Sequence, residues 1–283
     1  MVITRGAARL GMLAVGLGIG AAVAHTPVAS ADSSGDWLSS IDSVLSGGAL
    51  PAPATSLDYQ ISIDGYDLFP TAGNTATATS GIGDIAIAYG DNSVAAAEGG
   101  FGDDAFADGA YATANAGDPT TGATGNNFDF ASATGGGSEA VAGNGGAPDT
   151  TGSSFDFASA NGVSSFAVAG QNGSGDVASA VGPVSALSGG SNNATDPANF
   201  DYASALDTTN TTSALGTQAV AGGGFSDLGG SNDTAFVIDP SGTVGSTADA
   251  GLGFNSDLAA AFGDAFNAIA TGADNLFNIL GLS

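Results

Sequence analysis

Carboxylates are the side chains with which this sequence could do chemistry. All 28 Asp and Glu residues lie beyond residue 31, whereas both basic residues, Arg5 and Arg9, and the single His25 lie before it. Carboxylate pairs hydrolyse glycosides or peptides when one acts as acid and the other as base or nucleophile. The Asp-Thr-Gly or Asp-Ser-Gly string of two-aspartate proteases is absent; its nearest matches are Asp149-Thr150-Thr151-Gly152 and Asp239-Pro240-Ser241-Gly242. Carboxylates also hold hard cations. Residues Gly99–Ala107 fit the calcium-binding nonapeptide pattern G-G-x-G-x-D-x-U-x, with Phe106 as its apolar residue. Gly102, Asp103, Asp104 and Asp108 are the candidate Ca²⁺ ligands, and an adjacent turn would have to supply the rest of the oxygen cage. The alternative is that these aspartates simply solvate a corner.

What is missing excludes whole classes of chemistry. Beyond residue 31 there is no imidazole base, no Schiff-base lysine and no thiolate. A Ser-His-Asp triad and a His- or Cys-ligated zinc site are ruled out there. Phosphate and nucleic-acid binding lean on Lys and Arg, so no nucleic-acid partner is expected, and no disulfide can form in a chain with no Cys. Leu, Ile, Val and Phe together make up less than a fifth of residues 32–283, a fraction that with high net charge belongs to disordered chains. Order must therefore come from pattern.

The elements that would position these groups start after an export signal. Residues 1–31 carry a basic start (Arg5, Arg9), an apolar run (Leu10–Ala24) and the small-x-small site Ala29-Ser30-Ala31, with cleavage expected before Asp32. The apolar run is short for a membrane span, which needs about 20 residues, so no span is expected after processing. Residues 32–70 read as an N-terminal cap: an amphipathic helix over Asp36–Leu45, then a hairpin from Leu57 to Leu68 turning at Asp64-Gly65.

Residues 71–250 read as a β-repeat solenoid. Short alternating runs such as Gly83–Gly90 and Asn92–Gly99 end at glycine and recur every eight to ten residues. A longer repeat overlies them: Phe128-Asp-Phe-Ala-Ser-Ala133 returns as Phe155–Ala160 and as Phe200-Asp-Tyr-Ala-Ser-Ala205, each followed by an Ala-Val-Ala-Gly strand. Stacked at about 4.8 Å per coil, such strands pair their backbones continuously around a narrow alanine-lined interior. An antiparallel sandwich or barrel is the competing fold. In the Phe-Asp-aromatic phrase, period 2 sends Asp129, Asp156 and Asp201 to the face opposite their flanking aromatics, and core packing of those aromatics is the expected arrangement. An exposed ladder suited to a protein or a sugar is the other. Residues 251–283 read as an amphipathic helical cap capped at Ser256, with Phe262, Phe266, Ile269, Ala273, Leu276 and Leu280 at helical spacing; an oligomer seam is its alternative role.

The Asn92-Ser-Val-Ala-Ala-Ala-Glu-Gly99 run and the Ala-x-Ala-x-Ala-Gly strings resemble the head repeats of YadA-like trimeric adhesins, which form β-rolls, although the stalk and membrane strands of those adhesins have no counterpart here. In texture the chain is similar to uncharacterised secreted mycobacterial Ala/Gly/Asp-rich proteins in the style of the PE-PGRS group, without a PE domain. Neither resemblance implies an activity.

The expectation is therefore an all-β solenoid with helical caps at both ends: a secreted or cell-envelope, non-enzymatic structural or interaction protein with a polyanionic surface. No catalytic residue and no cofactor are assigned beyond the Ca²⁺ candidates. The partner is a protein, a carbohydrate or a second copy of the chain. Three alternatives stay open: a module that folds on binding Ca²⁺, a carboxylate-only glycoside hydrolase, and a disordered polyanionic coat.

Overall fold

The structure is a computed structural model and describes residues 58–68, 73–117, 126–143, 153–170, 173–189, 199–207, 217–222, 231–239, 247–251, 256–262, 267–270 and 278–280. All of these belong to one compact unit, Thr55–Ser283. The expected export signal (residues 1–31) and the helix over Asp36–Leu45 lie outside the described residues.

The chain enters through a hairpin of β1 (Tyr59–Ile63) and β2 (Tyr66–Leu68). Its turn residues Asp64 and Gly65 take φ of +53° and +79°, the left-handed pair a type I′ turn requires. After β3 (Thr77–Ser80) the chain runs in two-strand coils. These are β4 (Ile85–Tyr89) with β5 (Val94–Glu98); then, after the short β6 (Gly100–Phe101), β7 (Asp104–Asp108) with β8 (Thr113–Gly117). The short β9 (Asn126–Asn127) precedes β10 (Phe130–Thr134) with β11 (Glu139–Ala142). Then come β12 (Phe157–Asn161) with β13 (Phe166–Ala169), and β14 (Val177–Val181) with β15 (Ser185–Ser188). The last coils are β16 (Tyr202–Asp207) with β17 (Gln218–Ala221), β18 (Thr234–Asp239) with β19 (Thr247–Ala250), β20 (Leu258–Phe262) with β21 (Asn267–Ala270), and finally β22 (Asn278–Leu280).

Consecutive coils lie on one another, so the first strand of each joins an 11-stranded sheet and the second a 9-stranded sheet. From β4 onward both sheets are parallel and in register: Ala131 pairs with Ala158, Ala158 with Ala178, Ala178 with Ala203, and Ala203 with Ala235. Among the described strands the hairpin alone is antiparallel, β1 pairing both β2 and β4. This is the expected β-solenoid, and the sandwich alternative falls with the parallel register.

Alternation builds the interior. Ala at the second and fourth positions of most strands points inward, and these methyls form one continuous buried cluster in which Val184 and Val237 are the larger members. An alanine methyl is worth only about 0.8 kcal/mol when buried, so continuous backbone pairing carries much of the cohesion. Glycine makes the close corner between the sheets possible. Gly90, Gly109 and Gly135 take φ of +113°, +133° and +110°, and a Cβ on any of them would stand 2.7–2.8 Å from the backbone of the next coil.

The C-terminal helix expected over 251–283 is corrected. Among the described residues there is no helix; 258–262, 267–270 and 278–280 are strands β20, β21 and β22. Ala259 and Ala261 pair with Ala235 and Val237, and Ala268 pairs with Ala248. The unpaired backbone edge of the β18–β19 coil recruits these alanine-rich segments into further coils, and tertiary pairing overrides the local period. The apparent helical spacing of Phe262 and Ile269 spans two different strands.

Candidate functional site

Each strand of the long sheet from β4 to β20 is entered through an aspartate: Asp84, Asp103, Asp129, Asp156, Asp176, Asp201, Asp233 and Asp257, all buried. The residue before each has left-handed backbone: Gly83, Gly102, Phe128, Phe155, Gly175, Phe200, Asn232 and Ser256, with φ between +60° and +99°. That conformation costs a non-glycine residue about 1–2 kcal/mol. Here it turns the aspartate inward and aims successive backbone N–H groups at the coil before. The N–H groups of Gly102 and Asp103 donate to Oδ1 of Asp84 at 2.7 and 3.0 Å. Thereafter each aspartate N–H donates to Oδ1 of its predecessor at 2.8–3.0 Å, from Asp129 on Asp103 to Asp257 on Asp233. The hairpin turn starts the column, since Gly83 N–H donates to Oδ1 of Asp64 at 2.8 Å.

The other carboxyl oxygen is treated differently. Oδ2 of Asp84, Asp103, Asp129, Asp176, Asp201 and Asp233 is buried with no hydrogen-bond partner. In the coils of Asp103, Asp129, Asp176 and Asp233 it packs against the glycine that closes the second strand, and Oδ2 of Asp84 packs against Gly81 at the end of β3. A Cβ on Gly143, Gly189 or Gly251 would stand 2.0, 2.0 or 1.9 Å from Oδ2 of Asp129, Asp176 or Asp233. Asp156 differs, because the Ser153 hydroxyl lies 2.7 Å from its Oδ2.

Burial raises these acids and the backbone donors only partly offset it. Asp103 is pushed up to about 7, Asp129 to about 8, Asp176 to about 8, Asp201 to about 9 and Asp233 to about 7. Neighbouring carboxylates in the column add to the rise, as Asp176 and Asp233 do for Asp201. Asp156 reaches only about 6, burial again raising it and the backbone N–H of Asp176 and the Ser153 hydroxyl holding it down.

The outer face of the long sheet is the second feature. Its first outward column runs Ile85, Asp104, Phe130, Phe157, Val177, Tyr202, Thr234 and Leu258; its last runs Tyr89, Asp108, Thr134, Asn161, Val181, Leu206, Ile238 and Phe262. Between them Ser132, Ser159, Ser179 and Ser204 stand in register. The rings of Phe130 and Phe157 stack with centroids 4.9 Å apart. Beside this face, at the corner, the rings of Phe128 and Phe155 stack at 5.3 Å.

The aromatic assignment is therefore reversed from the core packing expected. Phe128, Phe155 and Phe200 are 52, 65 and 69 % exposed, and the aspartates beside them fill the interior. The alanine columns leave no room for a ring, whereas a carboxyl fits over a glycine. The three Phe-Asp phrases also do not form consecutive coils: β14, entered through Gly175-Asp176, lies between the second and third.

The calcium candidates do not converge. Gly102 gives its N–H to Asp84, and Asp103 turns inward to the column. Asp104 and Asp108 sit half-buried on the outer face at opposite ends of β7. Among the described residues no three acidic or His side chains cluster as a metal site. Residue-by-residue reading of the sequence missed the column itself. Its signal was present as the eightfold phrase Asp-x-Ala-x-Ala/Val, from Asp84-Ile-Ala-Ile-Ala88 to Asp257-Leu-Ala-Ala-Ala261.

No family model, curated protein or solved structure matches this chain. Among the described residues no helix is long and apolar enough to cross a membrane.

Proposed function

We propose that the chain is a secreted or cell-envelope, non-enzymatic interaction protein that binds through the outer face of its long sheet, and that its partner there is a second copy of the same chain. One observation carries this reading: eight strands in register, β4 to β20, present on one face two largely apolar outer columns flanking a run of serines, with Asp104 and Asp108 as the only charges. Eight strands about 4.8 Å apart and five residues long give roughly 500–600 Å² of projected area. A face-to-face pair then buries more than roughly 1,000 Å² in total, within the range of specific interfaces.

Period selects the partner. Columns repeating at each coil stay matched across eight strands only against a surface with the same repeat, which a second copy has by construction. A two-fold axis between β12 and β14 sets the charged β7 of one copy against the uncharged Thr234, Phe236 and Ile238 of the other, so like charges do not meet. The stacked rings of Phe130 and Phe157 lie against one another, which weighs against a sugar platform. Glycoside hydrolysis is disfavoured on this face too: Asp104 and Asp108 are four residues apart on one strand, about 13 Å, beyond the working separation of glycosidase carboxyl pairs.

Sedimentation of the chain recovered from culture medium tests the proposal. A dimer is expected, with Phe157→Asp and Val181→Asp, both beside the two-fold axis, weakening it at least 100-fold while circular dichroism stays unchanged. A monomer at every concentration, or a dimer indifferent to both variants, refutes it.

A further inference from the structure

The aspartate column takes no part in that contact, and its geometry poses a separate question of charge. Seven carboxyls, Asp84 to Asp233, stand one per coil in the interior. The groups facing them are acidic or neutral. Asp64 and Glu98 lie near Asp84, Asp104 is the chain neighbour of Asp103 on the opposite face of β7, and Asp257 lies next to Asp233. Ser153 faces Asp156. From the second sheet come glycines: Gly81, Gly117, Gly143, Gly170, Gly189 and Gly251. No Lys, Arg or His follows residue 31 to neutralise them.

We propose that Asp84, Asp103, Asp129, Asp156, Asp176, Asp201 and Asp233 form a column of neutral carboxylic acids, so that the solenoid folds by taking up protons and is firm in acid and loosened by alkali. The backbone donors fix Oδ1 as the carbonyl-type oxygen, accepting the N–H of the next aspartate at each step. The proton then belongs on Oδ2, the oxygen left without a partner in six of the seven. A metal ion would need six to eight oxygens converging at about 2.3–2.6 Å. Beside Oδ2 of Asp84, Asp103, Asp129, Asp156, Asp176 and Asp233 stands instead a glycine backbone too close to admit even a methyl carbon. A proton is the cation that fits.

The sign follows from binding. These acids sit above the ordinary carboxylate value of 3.8 in the folded chain, between about 6 and about 9 where a value is resolved. The folded state therefore binds more protons than the unfolded state. Its stability is complete below the ordinary carboxylate value and is lost as pH rises through about 6 to 9, opposite to ordinary acid denaturation.

The test is the thermal midpoint of the secreted chain from pH 4 to pH 10, with infrared spectra in which the protonated carboxyl C=O band is separate from the carboxylate bands. The midpoint should fall by more than about 10 °C between pH 5 and pH 9, with the protonated band disappearing over the same range. The double variant Asp176→Asn and Asp201→Asn, a permanent copy of the neutral acid at two coils, should flatten the fall and melt above the parent at pH 9. A flat or rising profile, or no protonated band at pH 5, overturns the proposal. Full recovery of the pH 9 midpoint by millimolar Ca²⁺ also overturns it, by giving the column to a metal. Should the double variant fail to fold, the infrared band of the unsubstituted chain decides alone.

Discussion

The close fit between column and glycine can be tested by adding one carbon atom. Gly189 closes β15 with φ +68°, and a Cβ there would stand 2.0 Å from Oδ2 and 2.5 Å from Cγ of Asp176. Gly65, in the hairpin turn, has a similar φ of +79°, but its Cβ would meet nothing nearer than the Ser80 carbonyl at 3.5 Å. Gly65→Ala should therefore cost only the left-handed conformation, about 1–2 kcal/mol. Gly189→Ala carries that same cost and also displaces the Asp176 carboxyl. Displacement abandons the buried N–H of Asp201, which donates to Oδ1 of Asp176 at 2.9 Å. An unsatisfied buried donor costs about 1–3 kcal/mol, so the total is about 2–5 kcal/mol. Urea unfolding followed by circular dichroism, with equal slopes in both variants, measures the difference. In an Asp176→Ala background the Gly189 substitution should fall back to the left-handed cost alone, giving a coupling of about 2 kcal/mol. Equal destabilisation by the two glycine variants, or no coupling to Asp176, would refute the account of the column as a tightly packed one.

Further outcomes follow from the same structure. Val237, the largest wholly buried apolar side chain among the described residues, should cost about 2 kcal/mol on Val237→Ala, while Ala205→Val, in the adjacent coil of the same column, should cost about 1–3 kcal/mol through overpacking; urea midpoints read both. Ser153→Ala removes the hydroxyl beside Asp156 and should cost about 1–2 kcal/mol at pH 7 while raising the Asp156 titration, measurable by carboxyl NMR. Asp104, raised to about 6 chiefly by burial, is ionised at pH 7 against that burial, so Asp104→Asn should leave stability equal or raise it by up to about 1 kcal/mol. Millimolar Ca²⁺ should leave the midpoint of both parent and Asp104→Asn unchanged at pH 6, because the nonapeptide acids Asp103 and Asp104 face opposite sides of β7.

Local pattern was enough for the hairpin and for the coil. Asp64-Gly65 between alternating runs dictates a type I′ turn whatever surrounds it. The Ala-x-Ala strands closed by glycine leave few ways to gain an interior other than stacking, and the parallel register is the result. What misled was any inference about which side of a strand faces in. Period 2 puts Asp129 and Phe130 on opposite faces without saying which is inside, and the usual preference for buried aromatics chose wrongly. The helical spacing after Ser256 misled for a related reason, since a corner between two strands resets the phase that a single periodic reading assumes.

By itself the sequence determined the chemistry that is absent and the repeat that must fold: no imidazole, thiol or cationic side chain beyond residue 31, and alanine and glycine at intervals that suit short stacked strands. Only the tertiary structure decided that the acids turn inward. A carboxyl counted along the chain is a charge in water. The same carboxyl, placed between a backbone N–H of the next coil and a glycine of its own, is a buried group whose ionisation burial penalises, and that placement exists only once the coils are stacked.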